Sequence, residues 1–192
     1  MTKKPKIMGP GKADDFQTPP EALDPLLPWL QQFKDWGYLI WEPACGTGNL
    51  SRRFDAEGWR VKYTDRYYQF KSDTWRSYDW VKSSDPVGLD FLSIPASQVP
   101  SPCILVTNPP YSIKDDFLEH CYDLQVPFAL LMPLTALEGR RRQEMFKANG
   151  VQVLVMKKRL QFTTPNGPGT SSYFMTAWFT WGLRLPSALV FE

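Results

Sequence analysis

Tyr38-Leu39-Ile40-Trp41-Glu42-Pro43-Ala44-Cys45-Gly46-Thr47-Gly48-Asn49-Leu50 is the stretch that decides the fold of this chain. Its first four residues are an apolar run of the length of a buried strand. The small residues that follow lead into a helical pattern from about Leu50 to Glu57. A strand that turns on glycine into a helix lets a ligand come against the backbone where the helix begins. The turn carries Gly46 and Gly48 but lacks the third glycine of the dinucleotide fingerprint, which counts against a pyrophosphate-binding NAD or FAD site. Glu42 adds to that: a carboxylate beside the turn repels pyrophosphate and suits a ligand with an ammonium group.

Outward from this unit, strands and helices alternate. Residues 60–64 read as a second strand, and the segment ending at Leu89-Asp90-Phe91 lies at or just after a third. Residues 103–107, 127–132 and 151–156 are a fourth, fifth and sixth, and 173–181 a seventh. Amphipathic helices are expected at 114–124 and at 138–149, the latter stopped by Gly150. Upstream, a helix opens at Pro20 and runs toward Phe33, with Pro25 and Pro28 making its early turns irregular. Residues 66–88 show no clear period, and 163–172 form a Pro/Gly/Ser loop. The pattern predicts an α/β, Rossmann-like fold with a seven-stranded, mostly parallel sheet, closed by an antiparallel C-terminal hairpin strand. Residues 1–15 read as a flexible basic arm and 16–192 as one domain.

Composition sets bounds on function. The 192 residues carry a net charge of +2, too small for a dominant electrostatic attraction to nucleic acid, although Arg140-Arg141-Arg142 and Lys157-Lys158-Arg159 are local clusters. Three cysteines without a CxxC pair and a single histidine, His120, speak against a zinc site or a histidine triad, so no metal is expected. The odd cysteine count suits a reducing, cytoplasmic compartment. No apolar run reaches membrane-spanning length, and no secretory leader is visible.

The chemistry concentrates at Asn108-Pro109-Pro110-Tyr111, at the end of the run Cys103-Ile104-Leu105-Val106. The Asn108 amide oxygen and a prolyl carbonyl can both accept hydrogen bonds from an exocyclic NH2. Pro109 and Pro110 fix φ and bring no competing N–H, and Tyr111 offers a ring for stacking. A Pro-Pro turn closing a buried strand is the ordinary alternative. Acids stand at successive strand ends: Glu42, Asp65, and Asp90 beside Phe91. An acid at the second such position in a doubly wound sheet accepts ribose hydroxyls. Cys103 begins its strand and reads as a core cysteine, not as a Pro-Cys nucleophile.

Taken together, Phe16-Gln17-Thr18-Pro19-Pro20-Glu21, the glycine turn, Asp65, Asp90-Phe91-Leu92 and the NPPY string, in that order, resemble the gamma-class S-adenosylmethionine (SAM)-dependent DNA adenine N6-methyltransferases. The resemblance implies SAM as cofactor, held by Phe16, Thr18, Pro19, Glu42, Ala44, Cys45, Gly46, Gly48, Asp65, Asp90, Phe91 and Asn108. It implies that Asn108, Pro109, Pro110 and Tyr111 grip the target amine, that Tyr111 and Phe162 stack on a flipped base, and that methyl transfer is direct and in line. The clusters Arg140–Arg142 and Lys157–Arg159, flanking the fifth and sixth strands, are candidate phosphate contacts, Arg141 and Arg142 foremost. DNA is favoured over RNA as the partner, and no membrane partner is implied. A large target-recognition domain has no room here, leaving 66–88 and 163–172 for substrate contacts and leaving open a specificity partner or a homo-oligomer. RNA adenine methylation, protein glutamine N5-methylation, and an idle SAM-fold subunit that binds nucleic acid remain as alternatives.

Overall fold

The computed structural model describes residues 14–66, 89–164, 167–168 and 174–192. Strands β1 (Leu39–Glu42), β2 (Val61–Tyr63), β3 (Cys103–Thr107) and β4 (Phe128–Pro133) pair in parallel. After them come β5 (Gln152–Val155), the two-residue strands β6 (Thr163–Thr164) and β7 (Gly167–Pro168), β8 (Thr176–Trp181) and β9 (Leu189–Phe191). The main sheet has seven strands in the order β2-β1-β3-β4-β8-β5-β9. Strand β8 lies antiparallel between β4 and β5, and β9 pairs in parallel with β5.

The inner strands are apolar on both faces because helices cover both. Ile40, Ile104, Val106, Ala129, Leu131 and Trp178 face one layer, with Leu30 and Phe33 of α1 (Leu27–Asp35) and Leu50 and Phe54 of α2 (Asn49–Ala56). The alternate residues Trp41, Leu105, Phe128, Leu130, Met132 and Phe179 face the other layer. There they meet Phe117 and Cys121 of α3 (Lys114–Asp123) and Met145 of α4 (Arg140–Asn149). The period of two along each strand sends its side chains to opposite layers.

Most expected elements appear within a residue or two of their predicted limits. The proline-rich start resolves into a 3-10 turn, Pro20–Leu23, followed by α1 with Pro28 in its first turn. Leu89 and Asp90 are not in a strand and Phe91–Ser93 is a 3-10 turn, compatible with a position just after the expected third strand. Residues 67–88, which would hold any strand before them, lie outside the described residues. Among the described residues the sheet's seventh strand is β9, an addition to the expected set, because Leu189-Val190-Phe191 is too short to show a period. The expected hairpin partners, β5 and β8, are indeed antiparallel neighbours. No helix among the described residues is long and apolar enough to cross a membrane.

Candidate cofactor and amine site

The glycine turn follows β1 at the sheet's carboxyl edge. Gly46 and Gly48 adopt φ of 52° and 83°, left-handed conformations that side chains disfavour, and this lets the chain fold back tightly before α2. Asp65, two residues past β2, accepts from Gly46 N at 2.9 Å, and Cys45 N donates to Thr64 O at 3.2 Å. The second strand end is thereby fastened to the turn.

Glu42 is only 2% exposed, and its carboxyl oxygen Oε2 accepts from Ser51 Oγ on α2. Burial pushes this acid up to about 8, with the nearby Asp65 charge adding to the rise and the Ser51 hydrogen bond opposing it. Cys45 is buried beside it, and desolvation with the two acids drives its thiol upward.

A strap closes this half. Gln17 forms a two-way backbone bridge with Thr163, at 2.9 and 3.1 Å, and its Oε1 accepts from both Thr47 N and Thr47 Oγ1 at 2.8 Å. Asn49 Nδ2 donates to Thr18 O at 3.0 Å, while Asp14 Oδ1 accepts from Ser112 N at 3.3 Å. The strap and the turn enclose a pocket lined by Phe16, Gln17, Thr18, Glu42, Ala44, Cys45, Gly46, Asn49, Leu50 and Asn108. The cavity is narrow, about 20 Å³, far below the size of a small-molecule site, because the Gln17 side chain lies against Gly46.

Asn108, directly after β3, joins the amine half to this pocket. Its Oδ1 is buried with no hydrogen-bond partner, and so is the Tyr111 hydroxyl. Thr176 Oγ1 is in the same condition, at the start of β8 opposite Pro133 and hence on the same sheet edge. Buried polar atoms are nearly always satisfied, so these are exceptions; of them only Asn108 Oδ1 belongs to a residue lining the pocket, and His120 Nε2 on α3 is likewise buried without a partner. Burial raises the Tyr111 phenol, keeping it protonated. Its ring leans on Phe174, 5.9 Å between centroids, which is 38% exposed.

Other expected residues sit elsewhere. Asp90 caps the Phe91–Ser93 turn by accepting from Leu92 N at 3.2 Å, and it pairs with Arg66 at 3.2 Å. Phe91 is 4% exposed and stacks on Phe117 at 4.2 Å, so its ring belongs to the core. Phe162 is 5% exposed, with its edge contact to Phe16 at 6.3 Å, and it does not present a face to the cleft; Phe16, 43% exposed, does project. Arg141 is held by Asp116 and Glu119. Arg142 is clamped by Asp115 at 2.5 Å and by the carbonyls of Ala136 and Glu138. Both expected phosphate contacts are thus paired with carboxylates, Arg141 at a half-exposed surface and Arg142 with its side chain only 12% exposed. Pro19 and Gly48 lie beside the pocket without lining it. Cys103 is buried in β3 with its thiol pushed up to about 12, as a core cysteine should be.

Three contributors escaped sequence reasoning: Gln17, Asn49 and Ser51. A serine on the apolar face of α2, nine residues after an acid ending a strand, was a usable signal for Ser51; Gln17 acts through a long-range backbone bridge that leaves no local trace. Among the described residues, no group of three or more His, Cys, Asp or Glu side chains could hold a metal. Neither the family models nor the curated proteins compared with the chain match it.

Proposed function

We propose that the protein is a SAM-dependent N-methyltransferase acting on an exocyclic amino group of a nucleic-acid base, with adenine N6 in DNA as the leading substrate and RNA next. The observation that carries this reading is the buried, unpartnered Oδ1 of Asn108 in the same pocket as the glycine turn and Glu42. An acceptor held ready beside a backbone-lined turn suits a target NH2 brought up to a cofactor.

The chemistry of the lining residues suits SAM, which would require the Gln17 side chain to move off Gly46. Thr18, Ala44, Cys45 and Gly46 supply a surface of small groups and backbone, and Asp65 stands at the turn for hydroxyl groups. Glu42 matches an ammonium group, since a buried acid that is neutral at pH 7 becomes charged when a cation is placed beside it. When bound, SAM supplies an electrophilic methyl group.

This chain's own part is to prepare the amine. Asn108 Oδ1 and the Pro109 carbonyl accept from the two N–H bonds of the target. That favours a tetrahedral nitrogen and frees a lone pair otherwise delocalised into the ring. Pro109 and Pro110 hold those acceptors in place, so little reorganisation is needed as the reaction proceeds. Tyr111 and Phe174 offer aromatic surface to a base withdrawn from its stack.

The test is incubation with labelled SAM and, separately, duplex DNA, single-stranded DNA, tRNA, rRNA and protein extract, followed by digestion to nucleosides or amino acids. Methyladenine in DNA is the expected product. Label in protein glutamine with none in nucleic acid would replace this reading by the N5-methyltransferase one.

A further inference from the structure

The two basic runs look alike in sequence and differ completely in their surroundings. Arg140 pairs with Glu144, Arg141 with Asp116 and Glu119, and Arg142 with Asp115. These three arginines and four acids offset one another within α4 and across to α3. Lys157, Lys158 and Arg159 are exposed, and among the described residues their side chains have no ion pair or hydrogen bond. The Glu192 carboxylate accepts from the backbone N–H of Lys157 at 3.1 Å.

The turn that carries these cations is anchored. Met156 before it and Leu160 and Phe162 after it are all buried in the same core layer. Thr163 is bridged to Gln17, whose side chain holds the glycine turn. Phe162 touches Phe16, which projects to solvent and lines the pocket. Even fully extended, the chain from Lys157 to Phe162 spans no more than about 18 Å, the reach of a few nucleotides.

We infer that Lys157, Lys158 and Arg159 are the phosphate-binding rim of the site, contacting the nucleic-acid strand beside the target base, and that the Arg140–Arg142 run takes no part. This rests on the proposed nucleic-acid substrate. An unpaired cation on a fixed turn releases counterions when it meets phosphate, whereas an arginine already neutralised by carboxylates has to break those pairs first.

The experiment measures binding of a short, fluorescently labelled, adenine-containing single-stranded oligonucleotide over a series of NaCl concentrations. It uses the full chain, the triple variant Lys157→Gln, Lys158→Gln, Arg159→Gln, and the single variant Arg141→Gln, with urea unfolding to verify that each is folded. Three lost phosphate contacts should reduce the slope of log K against log salt by about 2, at about 0.7 per contact on a single strand. The Arg141→Gln variant should keep the parental slope. A triple variant with the parental slope, in a protein that still methylates nucleic acid, would overturn the inference and leave the proposed function standing. If the parental protein neither binds nor methylates any nucleic acid, the proposed substrate fails and the inference with it. Binding of the parental chain to phosphatidylserine vesicles but not to the oligonucleotide, lost in the triple variant, would reassign the rim to a lipid surface.

Discussion

Glu42 shows how one side chain can report on both folding and ligand. Its acid rises from 4.5 to about 8 on folding, so between those values the folded protein holds a proton that the unfolded chain has released. Stability from this group is therefore full below about 4.5, declines as pH rises, and levels off above about 8. Glu42→Gln should flatten that decline and raise the urea midpoint at alkaline pH. The same substitution should weaken SAM binding, because the neutral amide cannot answer an ammonium group. In the parental protein, SAM binding at pH 7 should release a proton and tighten toward pH 8, read by calorimetry in buffers of different ionisation enthalpy. Asn108 belongs to the same scale. Asn108→Ala should keep SAM affinity largely intact while lowering kcat roughly a hundred- to a thousand-fold, the loss typical of one preorganised polar contact made in the transition state. Near-normal turnover would reduce the motif to a turn. The positions of both residues were legible beforehand, because each follows or ends a clear apolar strand run. Gln17 was not legible: its position depends on a bridge to Thr163, 146 residues away, and no local pattern encodes such a pairing.

At the scale of elements, the helices and inner strands could be read because their apolar periods were clean and their ends were marked by Gly48, Pro28 and Gly150. The functions of charged runs could not, since neutralisation is decided by which helices become neighbours. Arg142 illustrates this. It fastens α4 and the 3-10 turn Leu134–Leu137 to the first turn of α3, directly downstream of the NPPY string. Gly139 makes room for it: a Cβ there would lie 2.7 Å from the guanidinium. Arg142→Ala should cost about 2–3 kcal/mol in urea unfolding, because charge-assisted bonds to a carboxylate and two carbonyls are lost together. Arg141→Ala, whose partners are half-exposed, should cost less than about 1 kcal/mol. Equal losses would show that α3 and α4 are not joined as described.

For the whole molecule, the determining choice is the placement of β8 between β4 and β5. Its Trp178 is fully buried and donates from Nε1 to the Ala22 carbonyl at 2.8 Å, tying the 3-10 turn Pro20–Leu23 to this late strand. Trp178→Phe should lower stability by about 1–3 kcal/mol, the cost of leaving a buried carbonyl without its donor. An unchanged midpoint would mean that water replaces the bond. The sheet's antiparallel insertion was foreseen as a closing hairpin, whereas β9 was hidden by its brevity and by the exposure of Leu189 and Phe191.

The order in which the ribosome delivers these parts has a consequence. The glycine turn, the NPPY string and β4 all emerge before the strand that must lie against β4. Until residues 176–181 leave the exit tunnel, one long edge of β4, with its apolar side chains on both faces, has no neighbour. At about 5–20 residues per second the interval from Pro133 to Trp181 lasts a few seconds, ample time for an unpaired edge to meet another nascent chain. The protein should accordingly be most vulnerable to aggregation during its own translation, and its dependence on a ribosome-associated chaperone should fall in a circular permutant that supplies β8 before β4.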